Sequence, residues 1–490
     1  MPDLFHRAAN RGSISTASYD IGNSCRSEAN ESESMTKDCA ATVTAERKTF
    51  TLSFWVKRSK FGSDPMFICE FGETDYNQTG RTYLRFDDDQ LQMGAGNTYW
   101  FKTERLFRDA SAWYHIVLAV DTTDGTAGDR HKVYVNGVRE TDWDTVTNPT
   151  QNLTHAFSLN ENHSIGRSHV DNGSYFDGYM AEFHAVGGAQ LAPTEFGEFD
   201  SASGIWKPIE YTGTSGTGST GWGTNGWYLD FADSDNLGDD EKSGGTVLDF
   251  TENGIAATNQ TTDSPTNNFC TLNAVANNNY DSPSGNLEMG GCRIQTPASG
   301  WTTWLSTMPF SAGKWYIEFE DMGTYAAFGI MNVDKTHLLY EGTGAEGVAY
   351  RTWNSGALAR DGNDQVSAGL GAPDSNNWVW GFWIDMDNGK FSVANRDGST
   401  GTVLDEVDIG NCFDNGRMVI PFVRHHANTD TNINFGNGRW RSDNMMGWYA
   451  SFSHNGYQDD NGYGNFEYSP NANSKSYYAL CTKNLAEFGG

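Results

Sequence analysis

The chain has 490 residues, and 33 Lys plus Arg against 63 Asp plus Glu leave a net charge of −30 at pH 7. Charge of that sign repels polyphosphate, which excludes nucleic-acid binding through bulk electrostatics, and acts first as a solubility term. Apolar residues make up 37% and aromatics 13%, with 55 glycines, so neither a disordered chain nor a helical bundle fits; short strands joined by tight turns do.

In chain order, residues 1–19 are small and polar, with early positive charge and no apolar segment. They do not read as a secretory signal; they read as an arm that docks on a partner or holds an oligomer together. No stretch reaches the roughly 18–20 apolar residues of a membrane span, so membrane insertion is not expected. From Phe50 the pattern is β: Phe50, Leu52, Phe54 and Val56 share one parity and Trp55 lies on the other. Trp113–Asp121 is apolar on both parities, which predicts a central strand. Asn136-Gly137 between two apolar runs predicts a two-residue hairpin turn. Strands are also predicted at AFSLN (156–160), HSIGRS (163–168) and FDGYMAEFHAV (176–186), followed by a helical or turn segment in LAPTEFGEFD. A first sandwich therefore spans 20–205.

Residues 206–268 are rich in Gly, Thr and Ser and read as a connecting region with one or two strands. A second β-rich region, 269–490, holds GKWYIEFE, AAFGIMN, GVAYRTW, MVIPFV and TNINFGN, and a hairpin turning at Asp387-Asn388-Gly389. The predicted fold is all-β: two tandem antiparallel jelly-roll sandwiches behind a short N-terminal arm.

The order FTLSFWVKRS, WYHIVLAVD, KVYVNGVRE, FDGYMAEFHAV resembles the laminin-G or concanavalin-A-like lectin/glucanase jelly rolls, over about 20–205. GKWYIEFE, FGIMN, WGFWIDMDNGKFSVANRDG, IPFV and NINFG are similar, in order and spacing, to SPRY (B30.2-like) domains. Taken together, SFWVKRS, YFDGYMAEFHAVGGAQLAPTEFGE, TDSPTNNFCTLN, GKWYIEFE and YYALCTKNLAEFG look like virion proteins of marine tailed bacteriophages, of the tail-fibre or lectin-like kind. That resemblance implies a structural protein on the particle exterior, at tail or head, made in the host cytoplasm. It also implies attachment to other virion proteins through residues 1–19, a homo-oligomer with a trimer favoured, and contact with host-surface glycans.

The chemistry in the text is sparse. The Glu-x-Asp-x-x-Glu pattern of glucanases is absent; Glu406-Val407-Asp408 is its nearest approach, and Glu318, Glu320 and Asp321 read as solvated strand-end residues. HExxH, Gly-x-Ser-x-Gly and the phosphate-loop pattern are absent, so no enzyme activity is expected. His155, His163, His169, His425 and His426 lack zinc-ligand spacing, and Cys25, Cys39, Cys69, Cys270, Cys292, Cys412 and Cys481 read as free thiols. No cofactor is expected; Asp233, Asp235 and Asp239, with Asp240, offer the oxygen donors a calcium ion takes, and Asp87-Asp88-Asp89 a weaker set, but turns in acidic proteins carry the same residues as caps. For carbohydrate, which needs exposed aromatic faces beside polar side chains, the candidates are Tyr99, Trp100, Trp143, Trp222, Trp353 and Tyr463, each weighed against a place in a core. The expected function is thus a lectin-like virion protein; the alternatives are a polysaccharide hydrolase or lyase on the same scaffold and a cellular carbohydrate-binding adhesin.

Overall fold

The computed structural model describes residues 19–489 apart from 73–79, 97, 202, 214–220, 243–246, 279–285, 296–300, 321–325, 335–346, 352–356, 361–362, 368–378, 397–406, 409–417, 427–430, 439–455 and 472–474. Residues 1–18, and with them nearly all of the expected arm, lie outside this set. The chain divides into two compact units, one spanning Ile14–Asp109 and Trp113–Thr266, the other built on Asn267–Gly490.

The strands of the first unit are β1 (Ser24–Ser27), β2 (Ser34–Asp38), β3 (Thr49–Arg58), β4 (Met66–Gly72), β5 (Arg81–Asp87) and β6 (Gln90–Ala95). There follow β7 (Thr98–Leu106), β8 (Tyr114–Asp121), β9 (His131–Val135), β10 (Val138–Arg139), β11 (Trp143–Val146) and β12 (Asn162–Ile165). The last are β13 (Gly178–Gly187), β14 (Gly197–Phe199), β15 (Trp206–Pro208), β16 (Trp227–Leu229), β17 (Thr251–Asn253) and β18 (Gln260–Thr261). One sheet runs β10-β9-β8-β3-β13-β1-β18 with β16 added to β13; the other runs β11-β7-β6-β5-β4-β12-β2-β17, and all their pairings are antiparallel.

Period-two alternation decides which side chains meet between the sheets. Phe50, Leu52, Phe54 and Val56 from β3 join Ile116, Leu118 and Val120 from β8 and Ile68, Phe71, Leu84 and Phe86 from the facing sheet in one core, while Trp55 packs on the outer face with Trp113, Tyr179 and Trp206. Strand β8, between β3 and β9, is covered on both faces, Ile116, Leu118 and Val120 in the core and Val117 against Phe196, Tyr211 and Trp222 on the outer side, which explains its apolar residues on both parities. Asn136 and Gly137 take φ of 49° and 77° and close the β9–β10 hairpin. A Cβ on Gly137 would stand 2.3 Å from the Trp206 ring. Gly137→Ala is therefore expected to lower stability by about 1–3 kcal/mol in a denaturant titration, through left-handed strain and a clash with a buried ring; a change under about 0.5 kcal/mol would contradict this.

Two stretches differ from expectation. AFSLN (156–160) is a buried turn, not a strand: Ser158 takes φ 59°, its Oγ donates to Glu46 Oε2 at 2.7 Å, and Leu159 N returns to Ala156 O. Of its apolar residues, Ala156 and Phe157 are wholly buried and Leu159 is half-buried, and apolar content does not separate a buried turn from a strand. The segment 206–268 contributes β15 to β18, more than the one or two strands expected; β16, β17 and β18 extend the sheets of the first sandwich and β15 pairs with β14. LAPTEFGEFD forms a 3₁₀ turn at Pro193–Glu195 followed by β14.

In the second unit the strands are β19 (Leu272–Asn278), β20 (Asn286–Glu288), β21 (Arg293–Gln295), β22 (Trp301–Ser306), β23 (Lys314–Glu320), β24 (Ala326–Asn332) and β25 (Gly347–Arg351). They continue with β26 (Ala357–Arg360), β27 (Asn363–Ser367), β28 (Val379–Asp385), β29 (Lys390–Arg396), β30 (Val407–Asp408), β31 (Val419–His426) and β32 (Thr431–Asn434), before a terminal helix α1 (Thr482–Phe488). The sheets run β19-β22-β31-β24-β25-β26-β27 and β20-β21-β32-β23-β28-β29-β30. Phe319, Phe328, Tyr350, Phe382 and Val423 meet between them. The β28–β29 hairpin turns where expected, with Asn388 bonded to the Asp385 carboxylate and Gly389 at φ 62°.

Candidate functional site

Where the hairpin β9–β10 ends one sheet and β7–β11 ends the other, the first sandwich opens into a cavity of about 300 Å³. Trp100 and Phe101 of β7, Gly128, His131, Arg139, Glu140, Thr141, Trp143, Val146, Thr147 and Asn148 line it. The register of β11 on β7 slips between Trp143 and Thr145, and such an irregularity re-aims a side chain at a sheet edge. Trp143 is half-buried, 5.3 Å from the Phe101 ring.

Trp100 lies deeper, at 4% exposure, with its ring edge-on to His131 and His155 at 5.9 Å from each. Its indole N–H finds no acceptor among the described residues. His131 and His155 share a proton between their Nε2 atoms at 3.0 Å, one donating and the other accepting. Burial, and then the neighbouring cation Arg47, push His155 down to about 3; burial, and then His155, lower His131 as well, so both rings are neutral at physiological pH. The charged groups of the cavity are matched. Arg139 donates to Asp129 Oδ1 at 2.8 Å and Gly128 O at 2.9 Å, and Glu140, 6% exposed, accepts from Arg105 Nε at 2.7 Å. An aromatic face beside hydroxyl, amide and carboxylate groups can stack on a sugar ring and hydrogen-bond its hydroxyls.

Of the aromatic candidates, Trp100 and Trp143 meet here. Tyr99 is 45% exposed on the same strand but outside the lining. Trp222 belongs to a core on the outer face of the other sheet, packed on Tyr211 at 5.2 Å. Tyr463, half-buried in the second unit, takes the Lys483 ammonium over its ring at 5.5 Å, and Trp353 lies outside the described residues. Arg139, Glu140, Thr147 and Asn148 were not singled out from sequence; the Asn-Gly turn just before Arg139 placed them at a sheet edge, but nothing local reveals that β11 pairs with β7.

Asp233, Asp235 and Asp239 do not assemble a cation cage: Asp233 Oδ1 caps the N–H of Asp235 at 2.9 Å, and among the described residues no group of three or more His, Cys, Asp or Glu is placed to hold a metal. Burial and the adjacent Asp249 raise the Asp239 carboxyl instead. Asp87, Asp88 and Asp89 pair with Arg85, Lys102, and Arg58 plus Arg108. The six described cysteines are buried free thiols; Cys412 lies outside the described residues.

Three polar clusters have the residue types of catalysis without its geometry. Trp206 Nε1 donates to His115 Nδ1 at 3.0 Å, so the His115 proton sits on Nε2 and is given to Ser53 Oγ at 2.9 Å; that imidazole has no lone pair for the serine proton. At a bulge in β13, Glu182 takes φ 49° and accepts from Tyr228 Oη at 3.0 Å, with Tyr19 Oη 3.2 Å beyond. Burial and then the Glu182 charge raise both phenols, the opposite of what a tyrosinate base requires. Glu318, expected to be solvated, is fully buried and accepts from Glu467 N, Tyr468 N, Tyr316 Oη and Asn434 Nδ2. Strand-end position misled here because the later segment 467–468 covers it. The side chain of Glu320, and Asp321 and Glu406, lie outside the described residues.

The fold is all-β, and its first sandwich contains a concanavalin A-like lectin/glucanase domain. Residues 32–193 match the concanavalin A-like lectin/glucanases superfamily, and the cavity falls inside that span. No curated protein sequence matches the chain. Among solved structures, the SPRY domain of human HERC1 is similar at 14% identity, covering 33% of this chain and 96% of its own, with a TM-score of 0.26. The TRIM65 PSpry domain is similar at 13% identity over 34% of this chain and 91% of its own, also at 0.26. A heptameric SAP-like pentraxin from Limulus polyphemus reaches 15% identity over 36% and 80%, again at 0.26. The sandwich architecture rests on the strand pairings themselves.

Proposed function

We propose that the first sandwich binds glycan in the cavity at its open edge, and that the chain is a non-enzymatic structural protein displayed on the exterior of a tailed-phage particle. The observation that carries the binding reading is Trp143 standing half-buried beside Arg139, Thr147 and Asn148 in a cavity of about 300 Å³, within the range of about 300–1,000 Å³ for small-molecule sites. The order of sequence motifs over both sandwiches supports the virion reading. One such site per chain is weak, and copies tethered in an oligomer, with a trimer favoured, gain avidity without further contacts.

A glycosidase would need two carboxyl groups, about 5 Å or about 6.5–9.5 Å apart. The cavity lining has one, Glu140, already committed to Arg105.

Trp143→Ala is expected to weaken retention on host-surface polysaccharide by about two- to thirteenfold in affinity electrophoresis, since a stacked aromatic contributes about 0.5–1.5 kcal/mol. Unchanged retention would remove this cavity from the reading, and shortened polysaccharide after incubation would favour the enzyme. Electron microscopy of particles with and without the protein tests the virion placement: identical density in both would overturn it.

A further inference from the structure

The charge arrangement of the cavity goes beyond the presence of a site and rests on the glycan reading above. Arg139 is the one permanent cation among the described residues that line it; its side chain is 41% exposed, and its charge is paired with Asp129 through Nη2, which also donates to the Gly128 carbonyl. His131, the other basic group, is held neutral by burial and then by its place beside His155. The carboxylate of Glu140 lines the same cavity at 6% exposure, one oxygen on Arg105. A pocket for an acidic sugar presents an uncommitted guanidinium or ammonium to the carboxylate or sulfate, because that anion must recover the hydration it loses. Here the buried carboxylate would face the ligand's own.

We propose that Glu140 is a specificity-determining residue that restricts the cavity to uncharged sugar units, and that uronate-, sialate- or sulfate-bearing units are excluded. The small volume fits a single ring with part of the next. Trp143 supplies the stacking face, the Trp100 N–H, without an acceptor among the described residues, can donate to a ligand hydroxyl, and Thr141, Thr147 and Asn148 offer further partners. The local exclusion is separate from repulsion by the chain's net charge of −30, which salt screens, since the Debye length falls to about 3 Å at 1 M.

The test uses the full chain with dextran, mannan and galactan as neutral probes and alginate and polysialic acid as acidic ones, each in low salt and in 1 M NaCl. Neutral polymer is expected to bind at least about tenfold more tightly than acidic polymer, with the preference persisting in 1 M NaCl. Glu140→Gln, which removes the carboxylate and releases Arg105, is expected to shift the ratio of acidic to neutral binding about tenfold toward the acidic probes, and an unchanged ratio would overturn the inference. Thermal denaturation of the variant verifies that it is folded; should it unfold, Arg105→Gln, which leaves Glu140 uncompensated, is expected to deepen the exclusion instead. Acidic polymer bound preferentially in 1 M NaCl, and lost in Trp143→Ala, would overturn this inference and leave the glycan reading standing. Binding of no probe would overturn both.

Discussion

Asp263→Ala is expected to destabilise the first sandwich by about 3–5 kcal/mol, the cost of breaking a buried ion pair by removing one partner. Asp263 follows β18 and is fully buried. Its Oδ2 accepts from Lys57 Nζ at 2.8 Å, its Oδ1 from Trp113 Nε1 at 3.0 Å, and its carbonyl from Ser24 Oγ at 2.6 Å. Lys57, on β3 and 1% exposed, lies over the Tyr179 ring at 5.3 Å. Alanine would leave that ammonium in an aromatic surround with its counter-ion gone, and an indole N–H unpaired. A Lys57→Met, Asp263→Leu double variant removes both charges and is expected to recover most of the loss, since a matched apolar pair of similar volume is often neutral. Denaturant unfolding followed by tryptophan fluorescence checks both, and a loss below about 1 kcal/mol for the single variant would refute the argument.

The second large effect depends on pH and lies in the other sandwich. Burial, opposed by its four donors, raises Glu318 from 4.5 to about 7. Between those values the folded chain holds a proton that the unfolded chain has released. Its contribution to stability is therefore full below about pH 4.5, declines as pH rises toward 7 and levels off above it, by up to about 3 kcal/mol in all. Glu318→Gln is expected to flatten that slope. The Glu467 and Tyr468 N–H groups donate to different oxygens of Glu318, so the glutamine keeps an acceptor for one and turns its NH₂ toward the other, which costs about 1–3 kcal/mol for the donor left unpaired. Denaturation midpoints of the two proteins at several pH values across this window give the difference; an equal slope in both would sink the assignment.

Local patterns carried much of the architecture. The parity of Phe50 to Val56, the two-sided apolarity of Trp113–Asp121 and the Asn136-Gly137 turn each follow from a few adjacent residues, and the strands fall at these places, with β8 beginning at Tyr114. What depended on distant chain was not legible. AFSLN is buried because Glu46 and Thr82 hold it, Glu318 because residues 467–468 close over it, and Trp222 differs from Trp143 by what packs on it rather than by its neighbours in sequence. The cavity shows the same limit: Trp100 and Trp143 were among the candidates on composition, but Arg139 and Glu140 gain their place from pairings between sheet edges.

The way the first sandwich closes bears on how it is made. Its N-terminal strands β1 and β2 are paired by β18 and β17, Cys25 with Gln260 and Thr36 with Thr251, and neither later strand lies within the span matched by the lectin superfamily. During synthesis the growing chain must carry two unpaired strand edges until residue 261 has left the ribosome, and edges of that kind are templates for association with other chains. Like-charge repulsion between chains of net charge −30 opposes that association.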